Sequence, residues 1–78
     1  MTMLPIQCRM ARTALGWSRS ELAEAANVAE RTVSRFEDDE TVASETVKAL
    51  RAALEREGVD LIESGTYRGG VVPPMEGR

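Results

Sequence analysis

The sequence predicts a mainly α chain in which four short helices are followed by a small β-hairpin. Three observations carry that expectation. Apolar side chains recur at three- and four-residue spacing up to residue 58, and Gly16, Asn27 and Gly58, residue types that favour helix ends, interrupt the pattern. Ser18 and Glu21 are spaced as a helix-start signal. After Gly58 the period changes, and two runs rich in branched apolar residues flank the glycine-rich stretch GTYRGG at 65–70.

The first helix is expected from Pro5 to Leu15, because proline is tolerated in a first turn and Gly16 can take the left-handed stop just beyond the end. Ile6, Met10, Ala14 and Leu15 form its expected apolar stripe. Ser18 then places a hydroxyl at an N-cap, with Glu21 at the third helical position, the reciprocal arrangement of a capping box. The second helix therefore starts there, runs through Leu22, Ala23 and Ala26, and stops at Asn27, one of the few non-glycine residues that tolerates positive φ. Trp17 is placed to staple against Leu22 across the cap.

Only Val28 and Ala29 separate that stop from ERTVSRFED, in which Val33 and Phe36 face inward while Glu30, Arg31, Ser34 and Arg35 face out. Two short helices joined so tightly must cross steeply, and that geometry is the helix-turn-helix: the first helix buttresses, the second projects a polar face. A looser stretch, DDETVA, follows. Ser44 is then expected to cap a fourth helix that carries Val47, Leu50 and Leu54 inward and ends near Glu57, before Gly58.

In the hairpin, Val59 and Leu61 share one face and Ile62 lies on the other, while Val71 and Val72 point oppositely. Both faces of the ribbon are thus partly apolar. An isolated two-stranded ribbon is marginal in water and its open edge invites another strand, so Val59, Leu61, Ile62, Val71 and Val72 are the candidate dimerisation residues. The expected division is a helical domain at 1–58, a β extension at 59–74 and a tail at 75–78.

A core in 78 residues buries only about 60% of the surface its unfolded chain would expose, so reinforcement is expected. A homodimer is the expected form of it. The single cysteine, Cys8, cannot close an internal disulfide and is expected as a small buried residue; without histidine or a second thiol, neither a metal site nor a cofactor is expected. No catalytic residues are expected either, because Cys8 has no base beside it and GTYRGG lacks the lysine and the strand-loop-helix setting of a phosphate cradle. Arg9 and Arg12 break the N-terminal apolar run that a signal peptide needs, and nowhere do about 18 apolar residues run together. A cytoplasmic protein without a membrane partner is expected.

The net charge of −3 hides an uneven distribution. Residues 1–36 carry Arg9, Arg12, Arg19, Arg31 and Arg35 against three glutamates, a balance of +2, whereas residues 37–78 sum to −5. The basic half contains the helix-turn-helix.

From about Ile6 to Leu54 the sequence resembles the DNA-binding domains of lambda-repressor and Cro-type regulators, the xenobiotic-response-element family. The matching segments are RTALGWS at 12–18, ELA at 21–23, NVAERTVSRFE at 27–37 and SETVKALRAAL at 44–54. The resemblance implies a compact lambda-repressor-like helical domain that docks as a dimer on a short inverted repeat of double-stranded DNA and regulates transcription. It implies that Arg12 and Glu37 form an ion pair between the first helix and the end of the recognition helix. It also places Glu30, Arg31 and Arg35 where side chains reach base edges, Arg31 foremost because a guanidinium can bond both acceptors of guanine. Thr32 joins them through its methyl or hydroxyl, and Arg19, with the hydroxyls of Ser18 and Ser34, falls where phosphate is met.

The sequence departs from the family pattern at three places. Asn27 replaces a glycine, Ala29 replaces the usual hydroxyl cap of the recognition helix, and DDE at 38–40 replaces residues that lie near phosphates. The acidic second half also supports a rival expectation, a protein partner held by an antitoxin or adaptor built on the same domain.

Overall fold

Four helices, α1 (Pro5–Ala14), α2 (Arg19–Ala26), α3 (Glu30–Glu37) and α4 (Ser44–Arg56), precede an antiparallel ribbon of β1 (Asp60–Leu61) and β2 (Val71–Val72). In its register Asp60 lies opposite Val72 and Leu61 opposite Val71. The structure is a computed structural model that describes residues 3–74, so the expected tail at 75–78 lies outside the described residues. None of its helices is long and apolar enough to cross a membrane.

All four helices end in one backbone motif. A residue with positive φ (Gly16, Asn27, Asp39 or Gly58) is followed by one whose N–H reaches back five residues: Trp17 to Arg12, Val28 to Ala23, Glu40 to Arg35 and Val59 to Leu54. This is the Schellman arrangement, which satisfies carbonyls left without a helical partner. Asn27, at φ 59°, holds the turn as its residue type allows.

Helix starts are less uniform. Ser18 and Glu21 form the expected reciprocal box, the Glu21 N–H donating to Ser18 Oγ at 3.1 Å and the Ser18 N–H to Glu21 Oε1 at 2.7 Å. Ala29 begins α3 with no side-chain cap. Ser44 does not cap α4 as expected. It is the first helical residue, and the preceding Ala43 carbonyl accepts from Thr46 and Val47 to close the turn one residue earlier.

Leu22, Val33, Leu50 and Leu54 are fully buried where α2 packs against both α3 and α4. Trp17, Ala26 and Val28 pack on the margin of this core.

Helix α1 turns a different side inward from the one its apolar periodicity suggests. Gln7, Cys8 and Ala11 are buried and Leu15 packs against the core, whereas Ile6 is 51% exposed and Met10 and Ala14 also face solvent. Gln7 decides the rotation. Its Oε1 accepts from the Leu4 N–H at 2.9 Å, starting the helix, while its Nε2 donates to the carbonyls of Ile62 at 3.3 Å and Gly70 at 3.1 Å. A buried amide must find such partners or bear a desolvation cost of about 1–3 kcal/mol. This one finds them in the hairpin and so fastens the ribbon to α1.

That attachment also covers one side of the ribbon. Val59 and Leu61, expected at a contact between copies, are each only 4% exposed and belong to the protomer's own core. They cannot line an outer face at the same time. Ile62 and Val71 are half-buried, and Val72 remains exposed.

Candidate nucleic-acid interface

Successive residues on a helix are about 100° apart, so side chains four apart share a face. On α3, burial of Val33, Phe36 and Glu37 fixes the inner side and leaves Arg31 and Arg35 on the opposite one. Both arginines are exposed. Glu30 is exposed in the first turn, where a carboxylate complements the helix dipole, and Thr32 and Ser34 are half-buried at the edges of the face.

The two outward arginines differ in their company. Arg31 makes no hydrogen bond or ion pair among the described residues. Arg35 Nε donates to Glu40 Oε1 at 3.2 Å, a pair open to solvent on both sides.

At the start of α2 the hydroxyl of Ser18 is an acceptor in its capping box, yet an accepting hydroxyl still has a proton to donate outward. Arg19 is less free than expected. Its Nε donates to Glu37 Oε1 at 3.2 Å and its Nη2 lies 4.0 Å from Asp38, because a carboxylate buried at the end of α3 draws guanidinium groups toward it. About a third of the Arg19 side chain stays exposed.

Glu37 is the centre of this cluster. Its side chain is fully buried, and Arg12 holds it with two hydrogen bonds, Nε to Oε2 and Nη2 to Oε1, both 2.8 Å. Arg12 Nη1 also donates to the Trp17 carbonyl at 3.0 Å, tying α1, the α2 start and the α3 end together. Burial alone would raise the Glu37 carboxyl. Hydrogen bonds and charge from Arg12, with donation from Cys8 and Arg19, outweigh it and hold the group below the usual glutamate range.

Cys8 is buried as expected but is more than an apolar filler, since its Sγ donates to Glu37 Oε2 at 3.4 Å. Burial, followed by the charge and hydrogen bond of Glu37, pushes the thiol far above its usual range, so it stays protonated. Arg9 completes the cluster from α1. Its Nη2 donates to the Glu37 carbonyl at 3.1 Å, a cation at the C-terminal end of α3, and lies 3.8 Å from Asp38. The signal for Arg9 was its spacing of three from Arg12, which puts both guanidiniums on one side of α1.

The fold thus presents α3 with two arginines outward, braced from behind by α2 and locked at its far end by the Arg12–Glu37 pair. No curated protein matches the chain. A family model described as Helix-turn-helix matches residues 9–61, which run from the second turn of α1 through α4 into β1. With helices, turn and motif in agreement over that span, the chain belongs to the Cro/C1-type helix-turn-helix family of DNA-binding regulators.

Proposed function

We propose that the protein is a sequence-specific transcription regulator of the cytoplasm that lays α3 in the major groove, as a homodimer on a short inverted repeat. The observation that carries this reading is Arg31, exposed on the outward face in the first turn of α3 and unpaired among the described residues. A guanidinium held on a rigid helix with no internal partner is available to bond O6 and N7 of guanine. Arg35, one turn on, reaches a second base or the backbone. Glu30 and Thr32 read flanking edges, and Ser18, Arg19 and Ser34 meet phosphate, with Arg19 exchanging part of its hold on Glu37 for that contact. In this reading residues 1–58 bind DNA, and the ribbon at 59–74 supports dimerisation through its outer side, where Val72 is exposed and Ile62 half-buried, while Val71 packs against the core.

Selection of bound duplexes from a random library, together with solution mass, tests it. A palindromic consensus and a dimer are expected. Arg31→Ala should weaken the selected site by about 1–3 kcal/mol and relax preference at one base pair per half-site. A library that yields no consensus, or an Arg31→Ala protein indistinguishable from the parent, contradicts the proposal.

An adaptor or antitoxin gripping a basic protein is the second reading. It is favoured by the −5 balance of residues 37–78 and by the solvent-facing Ile6 and Met10 of α1. Arg31→Ala with Arg35→Ala separates the two, since a DNA reader loses its duplex and a pure adaptor keeps its partner.

A further inference from the structure

The turn that ends α3 carries a carboxylate where two of the other helix ends carry valine and the third tryptophan. In the Schellman motif the residue after the positive-φ position comes to lie beside the residue five before it, and that contact is usually apolar. Val28 with Ala23 and Val59 with Leu54 conform. At α3 the same backbone geometry joins Glu40 to Arg35, the Glu40 N–H donating to the Arg35 carbonyl at 2.9 Å and Arg35 Nε to Glu40 Oε1 at 3.2 Å. The pairing is built into the helix end rather than left to two free surface side chains.

Resting on the reading of α3 as the DNA-contacting helix, the geometry points to Glu40 as a specificity-determining residue: an internal stand-in for phosphate that occupies Arg35 until a duplex displaces it. Asp38 does the same more loosely, 3.8 Å from Arg9 and 4.0 Å from Arg19. Arg31 has no such partner among the described residues. Arg19, placed for phosphate, and Arg35, within reach of the backbone or a second base, are therefore neutralised in advance, while the one best placed to read a base is not.

Backbone affinity comes from cations that neutralise phosphates and release counterions. A guanidinium already balanced by its own carboxylate releases fewer, so attachment to arbitrary sequence weakens. A base contact by Arg31 keeps its full value. The ratio of specific to sequence-blind binding rises as a result, and an exposed ion pair is weak enough for a correctly placed phosphate to displace it.

The test is a salt titration of the full chain on a mixed-sequence duplex, carried out for the parent, Glu40→Gln, Arg35→Gln and the double variant. Glu40→Gln should bind the mixed duplex more tightly, with a log affinity against log salt slope steeper by about 0.9 per protomer. In the Arg35→Gln background the same change should do nothing, because Glu40 acts through Arg35. An equal gain in both backgrounds, or no change of slope in the single variant, overturns the inference and leaves the DNA reading standing. If the parent and every variant fail to bind any duplex at low salt, the DNA reading falls and the role of Glu40 with it.

Discussion

Replacing Glu37 by glutamine keeps the side-chain outline but removes the charge on which Arg12, Arg19 and Cys8 converge. Removing one partner of a buried ion pair commonly costs about 3–5 kcal/mol, most of it the penalty of stranding the other charge. The side chains of Arg12, Arg19 and Arg9 retain 15%, 35% and 46% exposure, so all three guanidiniums can regain water and the low end applies, about 3 kcal/mol. The new amide adds to this, because Arg12 donates to both oxygens of Glu37 and the NH2 must face one of those donors whichever way it turns. A chain of this length is expected to hold only about 4–12 kcal/mol in total, at roughly 0.05–0.15 kcal/mol per residue. The loss should therefore lower the melting temperature by roughly 12–24 °C.

Urea unfolding followed by the fluorescence of Trp17, the single tryptophan, measures this, since that ring packs on the core beside the cluster. The pH dependence supplies a signature. The folded Glu37 carboxyl lies below its usual value, so its contribution is complete above the ordinary glutamate range near about 4.3 and is lost as pH falls through the lowered value. The parent and Glu37→Gln should converge in acid. A difference under about 1 kcal/mol at neutral pH would refute the reasoning, because the desolvation of the carboxylate would then cancel its ion pairs.

Three further outcomes are expected. The folded Cys8 thiol is raised, so the stability it confers is complete below about pH 8.5 and falls by about 1.4 kcal/mol per pH unit above it; denaturation across that range should show the slope in the parent and lose it in Cys8→Ala. Ala29→Ser supplies the missing cap of α3 and should stabilise the protein by about 0.5–2 kcal/mol in the same urea assay. Gln7→Ala removes the second donor of the Ile62 and Gly70 carbonyls, which keep one backbone N–H each, and takes the acceptor from the Leu4 N–H; a loss of about 1–3 kcal/mol is expected, and hydrogen exchange should speed up at the Ile62 and Gly69 amides while those of α3 are unchanged.

Local chemistry made much of this fold legible. The helix-turn-helix could be placed from Ser18, Glu21 and Asn27 because a cap and a left-handed stop act within a few residues of themselves. The inward pair Val33 and Phe36 needed only helical spacing. From that spacing the outward placement of Arg31 and Arg35 followed, and with it the centre of the candidate site.

What the tertiary structure alone decided was which competing local pattern prevailed. Ile6, Met10 and Ala14 make a regular apolar stripe, yet α1 buries Gln7 and Cys8 instead, because their partners are Ile62, Gly70 and Glu37, far along the chain and absent from any local window. Arg19 and Arg35 each looked like a free cation in sequence, and only folding brought Glu37 and Glu40 within hydrogen-bond reach. Caps and turns satisfy backbone groups by short-range contact, so sequence determines them. A buried amide or carboxylate must be satisfied by whatever the completed fold places beside it, and that sets the rotation of α1 and the freedom of each arginine.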